Sequence, residues 1–292
     1  MRAAATPPQI ILARVAESAP LVPAAPPVPA VPVPAAPVSP RWTVRRLVRW
    51  VQDTFGQTFC KETLRAVLRR AKITWKKAKK ILSRADPAKR AAYVDELKAL
   101  LHAATHDNHL LVYIDEAHVH QDVEVGYGWA DCGQRLWVCS SSPGLSAKVS
   151  FYGIYLYNEG QVRIWPYPRG NQEHTIDVMR RLRRERPHGR LTIVWDGASY
   201  HRAAAVLAEA RALDITIVPL PGYSPDFMPV EALWHWLRED VTYLHCHTTR
   251  DELITRVAAF EAAINQDIYA VADRLWVKDE VDPEEEKLRI SR

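Results

Sequence analysis

No stretch of the sequence runs to eighteen or more uncharged apolar residues, so no segment reads as a membrane-spanning helix. The first residues lack the basic stretch and compact apolar core of a secretory signal, and the expectation is a soluble, cytoplasmic protein with no membrane partner. Cysteine is scarce. Cys60, Cys132, Cys139 and Cys246 are the only four, and no two form a C-x-x-C pair, which points to reduced thiols rather than a disulfide framework. His245, Cys246 and His247 could ligate a metal, but neighbours on a helix point in different directions, so the triplet reads as a chance cluster.

Acidic residues are nearly missing from one region. Residues 41–92 hold 16 Lys/Arg and 3 Asp/Glu, a net of +13, whereas residues 93–292 hold 21 and 30, a net of −9. So dense a positive charge repels itself without a partner. The split implies a polyanion-binding module beside a carboxylate-rich one.

Residues 1–40 contain 11 Pro and 11 Ala and are expected to be a disordered segment with no packed core. Residues 41–84 read as a small helix-turn-helix module. Thr43 caps a first helix with Val44, Leu47, Val48 and Val51 inward, Gly56 supplies a left-handed break, and a second helix turns Leu64, Val67, Leu68 and Ala71 inward. Lys61, Arg65, Arg69, Arg70, Lys72, Lys76 and Lys77 are the candidate DNA-binding residues, since such a second helix enters a major groove and phosphate contacts dominate affinity. Residues 85–106 read as a linker helix, and 278–292 as a charged, unstructured tail.

Between them, residues 107–277 read as an α/β domain. Strands are expected at 110–114, 151–157, 161–165, 191–195 and 215–218, with helices near 174–186, 200–212 and 229–244. Three acids hold particular places. Asp115 follows the first strand, Asp196 follows a later buried strand, and Glu231 sits in the first turn of a helix after the last strand. The carboxyl edge of an open α/β sheet is where ligands bind, and an acid after a strictly apolar run is not there for packing. Three like charges gathered together call for a cation, and two divalent ions about 3.5–4 Å apart would activate a nucleophile and stabilise a leaving oxygen in phosphodiester cleavage. His201 is a possible cleft residue, whereas His118 and His120 read as surface histidines and Trp234 and Trp236 as core or interface. The basic helix carrying Arg180, Arg181, Arg183, Arg184 and Arg186 reads equally as a DNA contact or a solvated face.

The local sequences around the three acids are Val112-Tyr113-Ile114-Asp115-Glu116, Trp195-Asp196-Gly197-Ala198-Ser199-Tyr200-His201, and Pro221 through Ser224-Pro225-Asp226-Phe227-Met228-Pro229 to Glu231. They resemble the catalytic blocks of IS630-type transposases of the Tc1/mariner superfamily, and 34 residues separate Asp196 from Glu231, the spacing typical of that family. The resemblance covers roughly 41–275. It implies an RNase H-like mixed sheet flanked by helices, with Asp115, Asp196 and Glu231 as catalytic, metal-binding residues. It also implies Mg²⁺ as cofactor, with Mn²⁺ substituting, cleavage of double-stranded DNA at transposon ends, and strand transfer into target DNA. A homodimer on DNA and association with the bacterial nucleoid follow from the same resemblance. The chain departs from the family pattern at Gly197 and at Met228, where the family usually carries Asn, and only one helix-turn-helix is visible where two are usual. A catalytically impaired DNA-binding remnant and a stand-alone RNase H-like nuclease are the alternative readings.

Overall fold

The computed structural model describes residues 42–76, 84–140 and 147–290. The Pro/Ala-rich segment 1–40, Lys77, Lys79 and Lys80 lie outside the described residues. The chain forms two compact units that divide near residue 80.

The first unit is a helical hairpin. Helix α1 (Val44–Phe55) is capped by Thr43, whose side chain accepts the Arg46 N–H, and is closed by Gly56 at φ 67°. A left-handed residue of this kind suits glycine, which has no Cβ to clash. Helix α2 (Lys61–Arg70) is capped by the Cys60 thiol, which accepts the Thr63 N–H. Leu47, Val51 and Leu64 form a small core ringed by Trp50, Phe55, Phe59 and Leu68. Lys61, Arg65, Arg69, Arg70, Lys72 and Lys76 all lie exposed.

The second unit is built on one five-stranded sheet in the order β3-β2-β1-β4-β5. Strands β1 (His109–His120), β2 (Lys148–Leu156) and β3 (Gln161–Tyr167) are antiparallel neighbours, while β4 (Arg190–Trp195) and β5 (Ile215–Pro219) run parallel to β1. The sequence expectation ended β1 at Ile114, but the strand continues to His120. It pairs with β4 only as far as Tyr113 and with β2 from Val112 onward. Ala117 and Val119 keep the period-2 burial going after the apolar run ends.

That period gives the sheet two faces. Leu111, Tyr113, Ala117 and Val119 pack with α3 (Pro87–His106), α6 (Val230–Leu237) and α7 (Arg250–Ile264). Val112 and Ile114 pack on the other face with α4 (Gln172–Glu185) and α5 (Ala204–Ala212). Helix α3, expected as a linker, buries Tyr93, Val94 and Leu97 in the same core as β1.

Two further expectations need correction. The helix from Val230 ends at Leu237 and passes into a π turn, Arg238–Thr242, which keeps both Val241 and Thr242 buried. The charged tail is not unstructured throughout: Pro283–Ile290 is a helix, α9, and Glu286 reaches back to the buried Arg90 at 2.9 Å. Between α7 and α9, the short helix α8 (Ile268–Arg274) buries Val271.

Candidate active site

Asp115 sits on β1 two residues beyond its last pairing with β4, where the parallel half of the sheet opens. Its partner across β2 is Gly153. A Cβ on Gly153 would stand 2.5 Å from Trp234 Cζ2 and 2.9 Å from Val230 Cγ1. The bare backbone there lets α6 lie close on the sheet. The Trp234 indole N–H then donates to Asp115 Oδ2 at 2.9 Å. Burial, the nearby charges of Glu231 and Glu116, and more weakly that of Asp196 push the Asp115 carboxyl up to about 7. Its neighbours on the sheet edge are acids. Among the described residues no Lys or Arg forms an ion pair with Asp115, Glu116, Asp196 or Glu231.

Asp196 follows the last residue of β4 and is half exposed. One oxygen accepts the Ala198 N–H at 2.9 Å, an Asx-type turn that redirects the chain out of the sheet. The same oxygen accepts from His201 Nδ1 at 2.9 Å, while His201 Nε2 donates to Glu116 Oε1 at 3.0 Å. His201 is buried and stacks on Trp195 at 4.5 Å. Burial alone would lower this imidazole, but its bonds to Asp196 and Glu116 outweigh that and raise it to about 9, so both nitrogens carry protons at neutral pH. The His201 bond is also what holds Asp196 below the usual carboxylate range. Tyr200 completes the set, its hydroxyl donating to Glu116 Oε2 at 3.2 Å.

Glu231, the second residue of α6, is exposed, while Val230, Leu233, Trp234 and Leu237 bury the opposite side. What places this helix is the turn before it. Arg90 on α3 is wholly buried, grips both oxygens of Asp226 at 3.0 and 2.8 Å, and lies 4.5 Å from the Phe227 ring centre. Lys278 donates to Asp226 Oδ2 as well, at 2.8 Å. Burial would raise Asp226, but these two cations outweigh it and hold the carboxyl far below its ordinary value.

The structure therefore gathers Asp115, Glu231 and Asp196 at one edge of the sheet without closing them into a tight ligand cluster. It draws Asp196 toward His201 and Glu116. The cleft reading of His201 gains a definite place, as the bridge between two acids. Glu116, Tyr200, Gly153 and the indole of Trp234 were not singled out as site residues. Glu116 was within reach of sequence reasoning, because alternation on β1 turns it to the face opposite Asp115, where His201 also lies. Four of the five arginines in and just after α4 make contacts within the domain: Arg180 pairs with Glu209, Arg183 donates to the Leu213 and Asp214 carbonyls, Arg186 pairs with Glu159, and Arg181 lies over Trp165, while Arg184 is exposed. His118 is exposed and bonds Ser150, whereas His120 is partly buried.

Residues 110–254 match the family model described as DDE superfamily endonuclease, and residues 39–97 match that described as winged helix-turn helix. A curated relative, the insertion element IS630 uncharacterized 39 kDa protein of Shigella sonnei, is 24% identical over 230 residues. The match takes in 77% of this chain and spans only 65% of that relative's length. Among solved structures, the Mos1 strand transfer complex matches with a TM-score of 0.62 at 15% identity, covering 100% of this chain and 80% of the other. A mariner Mos1 paired end complex with Mg matches with a TM-score of 0.58 at 18% identity, covering 86% and 74%.

Proposed function

Since the chain belongs to the IS630/Tc1-mariner family of DDE transposases, with an RNase H-like catalytic domain, we propose that it cuts DNA at transposon ends and joins the freed 3′ ends to target DNA. Asp115, Asp196 and Glu231 are the proposed catalytic carboxylates, and the ligands of Mg²⁺, with Mn²⁺ substituting. The observation that carries this is the gathering of acids around Asp115. Asp115 is crowded by Glu231 and Glu116, and among the described residues no Lys or Arg pairs with any of the three. Hard carboxylate oxygens at the edge of a sheet are the donor set that Mg²⁺ and Mn²⁺ take.

A divalent ion bound there supplies Lewis acidity toward a phosphoryl oxygen and an activated nucleophile at neutral pH. The chain's own residues do the positioning. Trp234 fixes one oxygen of Asp115 and leaves the other available. His201, held by Glu116, fixes Asp196 at the end of β4. The Arg90 grip on Asp226 sets the start of α6 and with it Glu231. In the first unit, exposed Lys61, Arg65, Arg69, Arg70, Lys72 and Lys76 provide the phosphate contacts, and the non-specific part of binding falls steeply with salt. Cutting and joining two ends in one reaction calls for two catalytic domains, and a homodimer on DNA is the simplest assembly that supplies them.

The test uses the full chain and a supercoiled plasmid carrying the element's own ends, with Mg²⁺ or Mn²⁺, for wild type and Asp196→Ala. Nicks at the ends and products joined through a 3′-hydroxyl, both lost in the variant, are expected. Nicking without joined products would favour a nuclease, and a folded, DNA-binding wild type that makes neither would favour a remnant.

A further inference from the structure

The segment after the π turn was expected to scatter its metal-ligating side chains, as a helix would. It is not helical. Residues 245–247 run beside the exit of β1, where the Leu244 N–H donates to the Glu124 carbonyl at 3.0 Å and the His247 N–H to the Gln121 carbonyl at 2.8 Å. Freed from a helix, the chain brings His245 and His247 together. Their rings lie 4.8 Å apart at 72°.

Glu252, from the first turn of α7, meets this pair. His245 Nε2 donates to Glu252 Oε1 at 3.0 Å, and the other carboxylate oxygen accepts the Thr248 N–H at 2.7 Å. One ligand atom from each of His245, His247 and Glu252 lies within 4.8 Å of the others. Among the described residues this is the one group that brings three such atoms so close. His247 is wholly buried, and among the described residues neither of its ring nitrogens has a hydrogen-bond partner. A buried imidazole with both nitrogens unmatched is unusual, because a neutral ring still carries one N–H to satisfy.

We propose that His245, His247 and Glu252 bind a zinc-class divalent ion, at a site separate from the acidic cleft. Two imidazoles and one carboxylate suit Zn²⁺ or Co²⁺, whereas an all-oxygen cleft suits Mg²⁺ or Mn²⁺. Tetrahedral bonds of about 2.0–2.1 Å need donors roughly 3.3 Å apart, so the widest separation closes by about 1.5 Å. The ion takes the place of the proton between His245 and Glu252 and gives His247 the partner it lacks, with water in the fourth position. The site ties the chain after the π turn to the first turn of α7, next to the strand exit that His247 already holds through its backbone.

The experiment is Co²⁺ titration of the full chain, followed by visible absorption, for wild type, His245→Gln, Glu252→Gln and Asp115→Asn. His245 and Glu252 are each about one-third exposed, at 35% and 33%, so both substitutions leave the core intact. One equivalent of Co²⁺ is expected to give the strong visible band of a tetrahedral site, displaced by Zn²⁺ and retained in Asp115→Asn. Losing a direct ligand is expected to weaken affinity by more than the roughly 10–100-fold that loss of an outer-shell partner costs. Zn²⁺ should also raise the melting temperature of the wild type and not of the two cluster variants. No tetrahedral band at one equivalent, or a band unchanged in His245→Gln and Glu252→Gln, overturns the proposal.

Discussion

Two groups of acids in the second unit, one in the turn that leads into α6 and one around Asp115 on β1, are treated in opposite ways. Asp226 receives Arg90 and Lys278 from within the fold, and its carboxyl is held far below the ordinary range. Asp115 receives only an indole N–H and the company of other acids, and its carboxyl is pushed up to about 7. The first group is neutralised by the chain and fixes structure. Among the described residues the second has no Lys or Arg paired with it, which is the state expected of a site that takes its cations from solution. Asp196 stands between the two cases, since the His201 imidazolium partly fills the place of a cation beside it.

The contrast can be broken most strongly at the proposed catalytic acids. Asp196→Ala is expected to lower single-turnover cleavage by at least about 10³-fold, the equivalent of roughly 4 kcal/mol of transition-state stabilisation, with little change in the melting temperature. Cleavage within tenfold of wild type would remove Asp196 from the chemistry. At the structural group the expectation reverses. Arg90→Ala leaves Asp226 and Glu286 without their buried partner and should cost about 3–5 kcal/mol of stability in urea denaturation. A loss below about 1 kcal/mol would show that the grip is not what holds the turn.

Legibility in the sequence divides along the same line. The strands and their order of appearance were readable, because apolar runs carry their own signal, and Asp196 does follow the carboxyl end of β4. Contacts between elements distant in sequence were not. Nothing local to Asp226 says that it belongs to Arg90 rather than to the cleft, and nothing near Gly153 says that Trp234 will lie on it. The helical tail is similar, since its acidic run looks solvated until Glu286 meets Arg90. The length of β1 was hidden for another reason: polar Asp115, Glu116 and His118 interrupt the apolar run while the alternation continues beneath them.

Smaller effects sharpen the comparison. Gly153→Ala should cost about 1–3 kcal/mol through overpacking and slow cleavage by moving Trp234 from Asp115. Comparing it with Trp234→Phe, which keeps the ring but not the N–H, separates the packing effect from the hydrogen bond. In acid, the depressed Asp226 carboxyl contributes stability above the ordinary pKa of about 4 and loses it as pH falls toward its folded value. Stability of wild type should therefore drop below pH ~4 more steeply than that of Asp226→Asn, as read by denaturation at a series of pH values. The two positions where the family's amide is missing should differ. Gly197 has open space around its absent Cβ, so Gly197→Asn should change stability by no more than about 0.5 kcal/mol. Met228 is buried in the main core, and Met228→Asn should unfold the protein at a lower urea concentration.

The most direct test of the central claim is Mn²⁺ binding to the full chain, followed by loss of the free-ion electron paramagnetic resonance signal, in wild type, Asp115→Asn and Asp196→Asn. The account predicts that wild type takes up Mn²⁺ and that each variant binds it at least about tenfold more weakly, roughly 1.4 kcal/mol. Equal uptake by all three proteins would contradict it, because the acidic cleft would then not be where the metal binds.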